Sequence, residues 1–235
     1  MLFIKSVHLF SINLKIVLVF NNMWKSFKQF IYKLVFVPLI RVVNLARWKI
    51  YLNNKEQIKL VIGAGPTIFA GWFSTDKDVL DITKREDFLK YFPQKKIHRI
   101  LAEHVLEHLT DSELRAAAKN LAEFSTQDIN IRIAVPDGYH ASPDYIELVK
   151  PGGSGASADD HKQLFNYKTL PRYFEPYGFE PTLLEYWDEN CIFHTSYKKD
   201  EDGFIERSLI HDDRNKSGKP IYTSLIIDFK HKPIN

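Results

Sequence analysis

The chain has 235 residues, 45% apolar, 14% aromatic and 26% charged, which is enough to bury a core and unlike a disordered chain. Its one cysteine, Cys191, excludes a disulfide framework and cysteine-based zinc modules, and points to a reducing, cytoplasmic compartment. The net charge of +3 is unevenly placed: residues 1–59 carry +9, from ten Lys/Arg and one acid, and residues 60–235 carry −6.

The basic leader comes first in the chain. A membrane span needs about 20 consecutive apolar residues. The longest runs free of Lys, Arg, Asp and Glu, Ser6–Leu14 and Ile16–Trp24, are shorter. Lys5 ahead of an apolar stretch has the outline of a secretory signal, but no small-x-small cleavage site follows. Residues 24–50 read as a basic amphipathic helix, with Trp24, Phe27, Ile31, Leu34 and Val35 on one side and Lys25, Lys28, Lys33, Arg41 and Arg47 on the other. Pro38 is expected to break or kink it. Two roles fit: peripheral contact with the anionic inner face of a membrane, or packing on the domain with the basic face in water. A start at Met23 is equally compatible with the sequence.

From Ile58 onward strands and helices alternate. Ile58–Ile62 reads as a strand entering Gly63-Ala64-Gly65-Pro66. Trp72–Asp76 and Val79–Ile82 are short strands, each meeting an acid, and Lys84–Phe92 is a helix. Ile97–Ala102 is a buried strand, and Thr110-Asp111-Ser112-Glu113 is a capping box opening a helix to Phe124. Ile129–Val135 is a strand stopped by Pro136-Asp137-Gly138, and Ser142-Pro143 starts a helix. Thr169–Tyr177 reads as a helix closed by Gly178. Pro181–Trp187 and Ile221–Phe229 are strands joined through a turn at Asn215–Lys219. The pattern predicts an α/β, Rossmann-like, doubly wound and mainly parallel sheet (residues 58–235) with helices on both faces and a C-terminal antiparallel hairpin, preceded by a basic helical extension (residues 1–57).

In such sheets ligands bind beyond the carboxyl ends of the strands. Gly63 and Gly65 allow close backbone approach to a ligand. Asp76, after the second strand, can accept both hydroxyls of a ribose, since a carboxylate offers two acceptor oxygens. Asp81 can accept from an adenine amino group while Ile82 packs on the ring. Glu103-His104 follows the fourth strand in this reading.

These residues carry a resemblance. Residues 59–232 resemble the class I S-adenosylmethionine-dependent methyltransferases, through Leu60–Thr67, Gly71–Asp76, Leu80-Asp81 and Ala102–Leu109, with Arg132–Asp137, His161–Leu170, Tyr177-Gly178-Phe179 and Leu184–Asp188 further on. The resemblance implies S-adenosylmethionine as cofactor. Gly63, Ala64, Gly65 and Pro66 would line its methionine end, Asp76 would hold the ribose, and Asp81 with Ile82 the adenine. Glu103 and His104 would lie beneath it. Three departures stand out: Val61 and Thr67 replace the family's usual acid and third glycine, and only twelve residues separate Gly63 from Asp76. The first crossover helix is therefore short or absent. The alternative is a non-catalytic binding protein that keeps the fold with a degenerate pocket.

His104-Val105-Leu106-Glu107-His108 is also a literal H-x-x-E-H, the signature of inverted zinc peptidases. On a helix His104 and His108 would share a face, but the sequence nominates no third ligand, and no metal is assigned. On the acceptor side, His140 and His161 are the candidate bases, among Asp137, Asp160 and Tyr167. The Gly152–Gly155 loop is a candidate lid, and Tyr186, Trp187, Phe193 and His194 a candidate aromatic wall. The acidic domain has no basic stripe interleaved with aromatics, which argues against nucleic acid. The expected acceptor is a small molecule or a lipid- or sugar-linked one.

Overall fold

A computed structural model describes residues 37–233 apart from Pro66 and Lys95. The chain divides between Asn54 and Lys55 into two units. In the first, helix α1 (Val37–Asn54) is an 18-residue segment in which Trp48 stacks on Tyr51 with ring centroids 6.3 Å apart. Pro38 stands second in its described part. Residues 24–36 of the expected amphipathic helix lie outside the described residues. No helix among the described residues is long and apolar enough to cross a membrane.

The second unit holds one seven-stranded sheet in the order β2-β1-β3-β4-β7-β5-β6. Its strands are β1 (Ile58–Ile62), β2 (Phe73–Thr75), β3 (Ile97–Glu103), β4 (Ser125–Pro136), β5 (Phe179–Trp187), β6 (Phe193–Thr195) and β7 (Ser224–His231). β2, β1, β3 and β4 are parallel neighbours, and β7 runs antiparallel to both β4 and β5. β5 therefore points the same way as the first four strands. β6 returns along β5 in a short hairpin through residues 188–192. The expected direct hairpin between β5 and β7 is instead interrupted by β6 and the irregular segment 196–223, whose turn residue Asn215 bonds to Ser208, Ile221 and Tyr222.

Side-chain alternation gives the two faces different coverings. One face carries Leu60, Ile62, Ile100, Ala102, Ile131, Ile133, Ile227 and Phe229, all buried. Helices α2 (Arg85–Tyr91) and α3 (Asp111–Phe124) pack on each other through Phe88 and Phe124, 5.2 Å apart. The α3 capping box is made, with Thr110 N–H donating to Glu113 Oε2 at 2.9 Å and Glu113 N–H to Thr110 Oγ1 at 3.4 Å. The other face carries Val61, Leu101, Ala134 and Ile226, covered by Tyr197 and Ile205 of the segment before β7 and by Phe69 and Trp72 of the β1–β2 loop. Helices on both faces were expected; within this unit an irregular segment covers the second face.

That segment is fastened by ionisable side chains on the strands beneath it. Arg132 of β4 donates to Asp228 (2.8 Å from both Nε and Nη2), to Asp200 (2.7 Å from Nη1) and to the Gly203 carbonyl (2.8 Å). Glu185 of β5 accepts from Leu209 N–H at 2.9 Å, and Glu103 of β3 from Glu206 and Arg207 N–H at 3.0 and 2.8 Å.

Two further expectations differ from the structure. Val79–Ile82 is a run of turns, not a third strand. Thr169–Tyr177 forms two 3₁₀ turns, Pro171–Tyr173 and Glu175–Tyr177, because Pro171 and Pro176 supply no N–H to an α-helical ladder.

Candidate functional site

After β1 the chain goes to β2 on one side and then to β3 on the other, so the sheet has its topological switch point between the ends of β1 and β3. A cavity of about 410 Å³ lies there, lined by Ile62, Gly63, Asp76, Leu80, Asp81, Ile82, His104, Val105 and His108, with Lys77, Glu113 and Asp160 among the polar wall residues. That volume lies within the usual range of small-molecule sites, about 300–1,000 Å³.

The β1–β2 connection contains no helix among its described residues. Gly63 leaves β1 with φ +58°, and a Cβ there would lie 2.6 Å from Val105 Cγ2, so glycine is needed for both torsion and space. Gly65 is also left-handed, with open space around it, and its N–H donates to Asp76 Oδ1 at 3.2 Å. Ala64 is buried in the core, and its N–H donates to the Thr75 carbonyl. Pro66 lies outside the described residues.

Asp76 is exposed on the cavity wall at the end of β2. Asp81 is buried, and its oxygens are engaged locally: Oδ1 accepts from Thr83 N–H (3.1 Å) and Oγ1–H (2.7 Å), and Oδ2 pairs with Lys84 at 3.2 Å. Burial pushes this carboxyl up, but the Thr83 and Lys84 contacts outweigh it and hold the group below its ordinary value.

At the end of β3 the two expected ligand residues diverge. Glu103 shares a face with Leu101 and engages the 206–207 backbone; it does not line the cavity. His104 takes a left-handed φ of 54° that turns the chain into the cavity wall. Its Nε2 is 3.0 Å from Ser224 Oγ, and burial, then Arg207, pushes its imidazole well below the ordinary range. The following Leu106–His108 is a single 3₁₀ turn, so His104 and His108 do not share an α-helical face and the inverted-peptidase arrangement is not formed.

A different grouping is formed. Ligand-capable atoms of Glu107, His108 and His161 lie within 4.8 Å of one another. His161 is the member of this grouping that spacing alone did not place. Its Nδ1 is 2.6 Å from the Val149 carbonyl, an arrangement in which Nδ1–H donates. Burial pushes the Glu107 carboxyl up to about 8. Burial, then His161, pushes the His108 imidazole down, against the opposing influence of Asp160.

His140, the other expected base, does not line the cavity. It stacks on Tyr145 at 3.9 Å, lies 4.8 Å from Trp187, and accepts from Ser142 N–H through Nδ1. Burial pushes it down to about 4. Asp137 is a brace: its carboxylate accepts from Tyr139 and Trp187 N–H, tying the end of β4 to that of β5. The Gly152–Gly155 segment is held by backbone bonds from Ser154 to Glu147 and from Gly155 to Leu148, and a Cβ on Gly155 would lie 2.3 Å from the Leu148 carbonyl oxygen. Tyr186 and His194 stack at 4.7 Å across the β5–β6 hairpin.

No family model matches the chain, and no curated protein does. Among solved structures it is similar to LepI in complex with SAH and a substrate analogue (10% identity, TM-score 0.41, 80% of this chain and 40% of that one). It is also similar to a SAM-dependent methyltransferase from Archaeoglobus fulgidus (15% identity, TM-score 0.42, 82% and 92%) and to one from Anabaena variabilis (12% identity, TM-score 0.40, 81% and 83%). The chain spans about two fifths of the length of LepI.

Proposed function

We propose that the chain is an S-adenosylmethionine-dependent methyltransferase acting on a small or lipid- or sugar-linked acceptor. The observation that carries this reading is the cavity at the switch point, with Gly63 at the end of β1 and Asp76 at the end of β2 on its wall. Asp76 offers carboxylate oxygens to ribose hydroxyls. Ile62, Leu80, Ile82 and Val105 supply apolar walls for a flat ring, and Gly63 lets the backbone approach the ligand closely. When bound, S-adenosylmethionine supplies a methyl group on a sulfonium centre. The chain's own part is chiefly alignment, holding the acceptor in line in a partly enclosed site.

Asp81 favours the second reading, a non-catalytic binding protein with a degenerate cofactor pocket. Its oxygens are already engaged by Thr83 and Lys84, so an adenine amino group has to compete for them. The leader, residues 24–50, is proposed to rest on an anionic membrane surface. Co-sedimentation of the full chain with anionic vesicles, and its loss when residues 1–50 are deleted, tests that contact.

Calorimetric titration of the full chain with S-adenosylmethionine and S-adenosylhomocysteine tests the main reading. Micromolar binding is expected, followed by transfer of a labelled methyl group to an extract of small molecules and lipids. No binding of either to folded protein refutes the main reading and favours the second.

A further inference from the structure

The Glu107 side chain is fully buried, at 0% exposure, and neither oxygen accepts a hydrogen bond from another described residue. The nearest ionisable neighbour is His104 Nδ1, 3.6 Å from Oε1. A buried carboxyl group with neither oxygen hydrogen-bonded is left unsatisfied, and bonding to a cation satisfies it. His108 and His161 stand beside it, with rings 4.8 Å apart and nearly perpendicular. Nδ1 of His108 also lacks a hydrogen-bond partner, while Asp160 Oδ2 approaches it at 3.4 Å. His161 has the arrangement common to metal-ligating imidazoles, one ring nitrogen turned to a backbone carbonyl and the other free.

We propose that Glu107, His108 and His161 bind one first-row divalent cation of the Zn²⁺ class, with its open coordination positions facing the cavity. Two imidazoles and one carboxylate suit such ions and not Ca²⁺ or Mg²⁺, which prefer all-oxygen sites. Three protein ligands leave room for a further ligand. Metal–ligand bonds of about 2.0–2.1 Å place tetrahedral donors about 3.3 Å apart, so the cluster closes by side-chain rotation from its 4.8 Å spread. His108 and Asp160 line the cavity, so the exposed side of the ion meets whatever occupies it. Under the methyl-transfer reading, that ligand is an oxygen of the acceptor, a hydroxyl or carboxylate; the metal site itself does not depend on that reading.

The test uses the full chain, stripped with EDTA, dialysed, and titrated with Zn²⁺ by calorimetry and with Co²⁺ by visible absorption. One equivalent of each is expected, with Co²⁺ developing the strong bands of a low-coordinate nitrogen–oxygen site. His161→Ala and Glu107→Gln are each expected to weaken binding about 100-fold or more. His194→Ala, in a half-buried pair with Asp188 on the β5–β6 hairpin, should leave it unchanged. Circular dichroism checks folding, and His108→Ala serves if His161→Ala does not fold. The proposal is overturned if the folded wild-type chain binds no stoichiometric Zn²⁺. It is equally overturned by binding that survives these cluster substitutions, or by a site that takes Mg²⁺ but not Zn²⁺. Titrating the metal-free chain with S-adenosylmethionine reports separately on the cofactor reading.

Discussion

Glu185 lies near the carboxyl end of β5 with 0% exposure and accepts from Leu209 N–H (2.9 Å to Oε1) and Thr195 Oγ1–H (3.3 Å to Oε2). Burial pushes its carboxyl up to about 8. Between its ordinary value of 4.5 and about 8, the native chain therefore holds a proton that the unfolded chain has lost. The native state binds more protons in that window, so stability falls as pH rises through it. At about 1.4 kcal/mol per pH unit, raising the group from 4.5 to about 8 costs on the order of 5 kcal/mol once both states are ionised. Glu185→Gln is neutral at every pH, and its amide can still accept from Leu209 N–H and donate to Thr195. The variant should match the wild type near pH 4.5 and become progressively more stable than it, by several kcal/mol, at pH 8.5. Urea unfolding curves at pH 4.5, 6, 7 and 8.5 measure the difference. A gap that stays constant across that range, or a variant less stable than wild type at pH 8.5, would refute the reasoning.

Gly63→Ala combines a left-handed φ, costing about 1–2 kcal/mol, with a Cβ 2.6 Å from Val105 Cγ2, costing about 1–3 kcal/mol more. Adding Val105→Ala should recover the second part and not the first, measured by urea unfolding of both variants. Asp76→Ala, at an exposed side chain, should leave the unfolding midpoint unchanged and abolish S-adenosylmethionine binding by calorimetry; unchanged affinity removes the ribose assignment. Arg132→Met leaves Asp228 and Asp200 without their shared cation and should destabilise by about 3–5 kcal/mol, with protease cleavage appearing first in the 196–211 segment.

What the sequence made readable was what neighbouring residues decide. The Thr110–Glu113 capping box, Ser142-Pro143 and the apolar runs of β1 and β3 are local signals, and each gave its element within a residue or two. The glycine turn and Asp76 were readable for the same reason, because each follows its strand directly. Val79–Ile82 has the composition of a strand, but no neighbouring strand pairs with it, and composition carries no information about pairing partners. Glu103 was misplaced by one step of alternation: the residue at a strand's tip belongs to whichever face its pleat dictates, and the next residue, His104, turns the other way through a left-handed torsion. His161 was singled out as a base, yet its place beside Glu107 and His108 depends on a return of the chain more than fifty residues later.

The sheet's polar face and its short first crossover are linked. With no helix among the described residues between β1 and β2, Phe69 and Trp72 cover only part of the face bearing Val61 and Leu101. The segment before β7 covers more of it through Tyr197 and Ile205, but an irregular segment brings unpaired backbone N–H and C=O groups that must be satisfied. Glu103, Glu185 and Arg132 meet that need from β3, β5 and β4, taking the N–H groups of residues 206, 207 and 209 and the Gly203 carbonyl. A helix would have satisfied its own backbone and required only apolar strand residues beneath it. The ionisable groups on this face are therefore the consequence of covering a sheet with loop. They also account for the acids toward the carboxyl ends of β3 and β5, Glu103 and Glu185, which serve the covering segment, while Gly63 and His104 line the cavity.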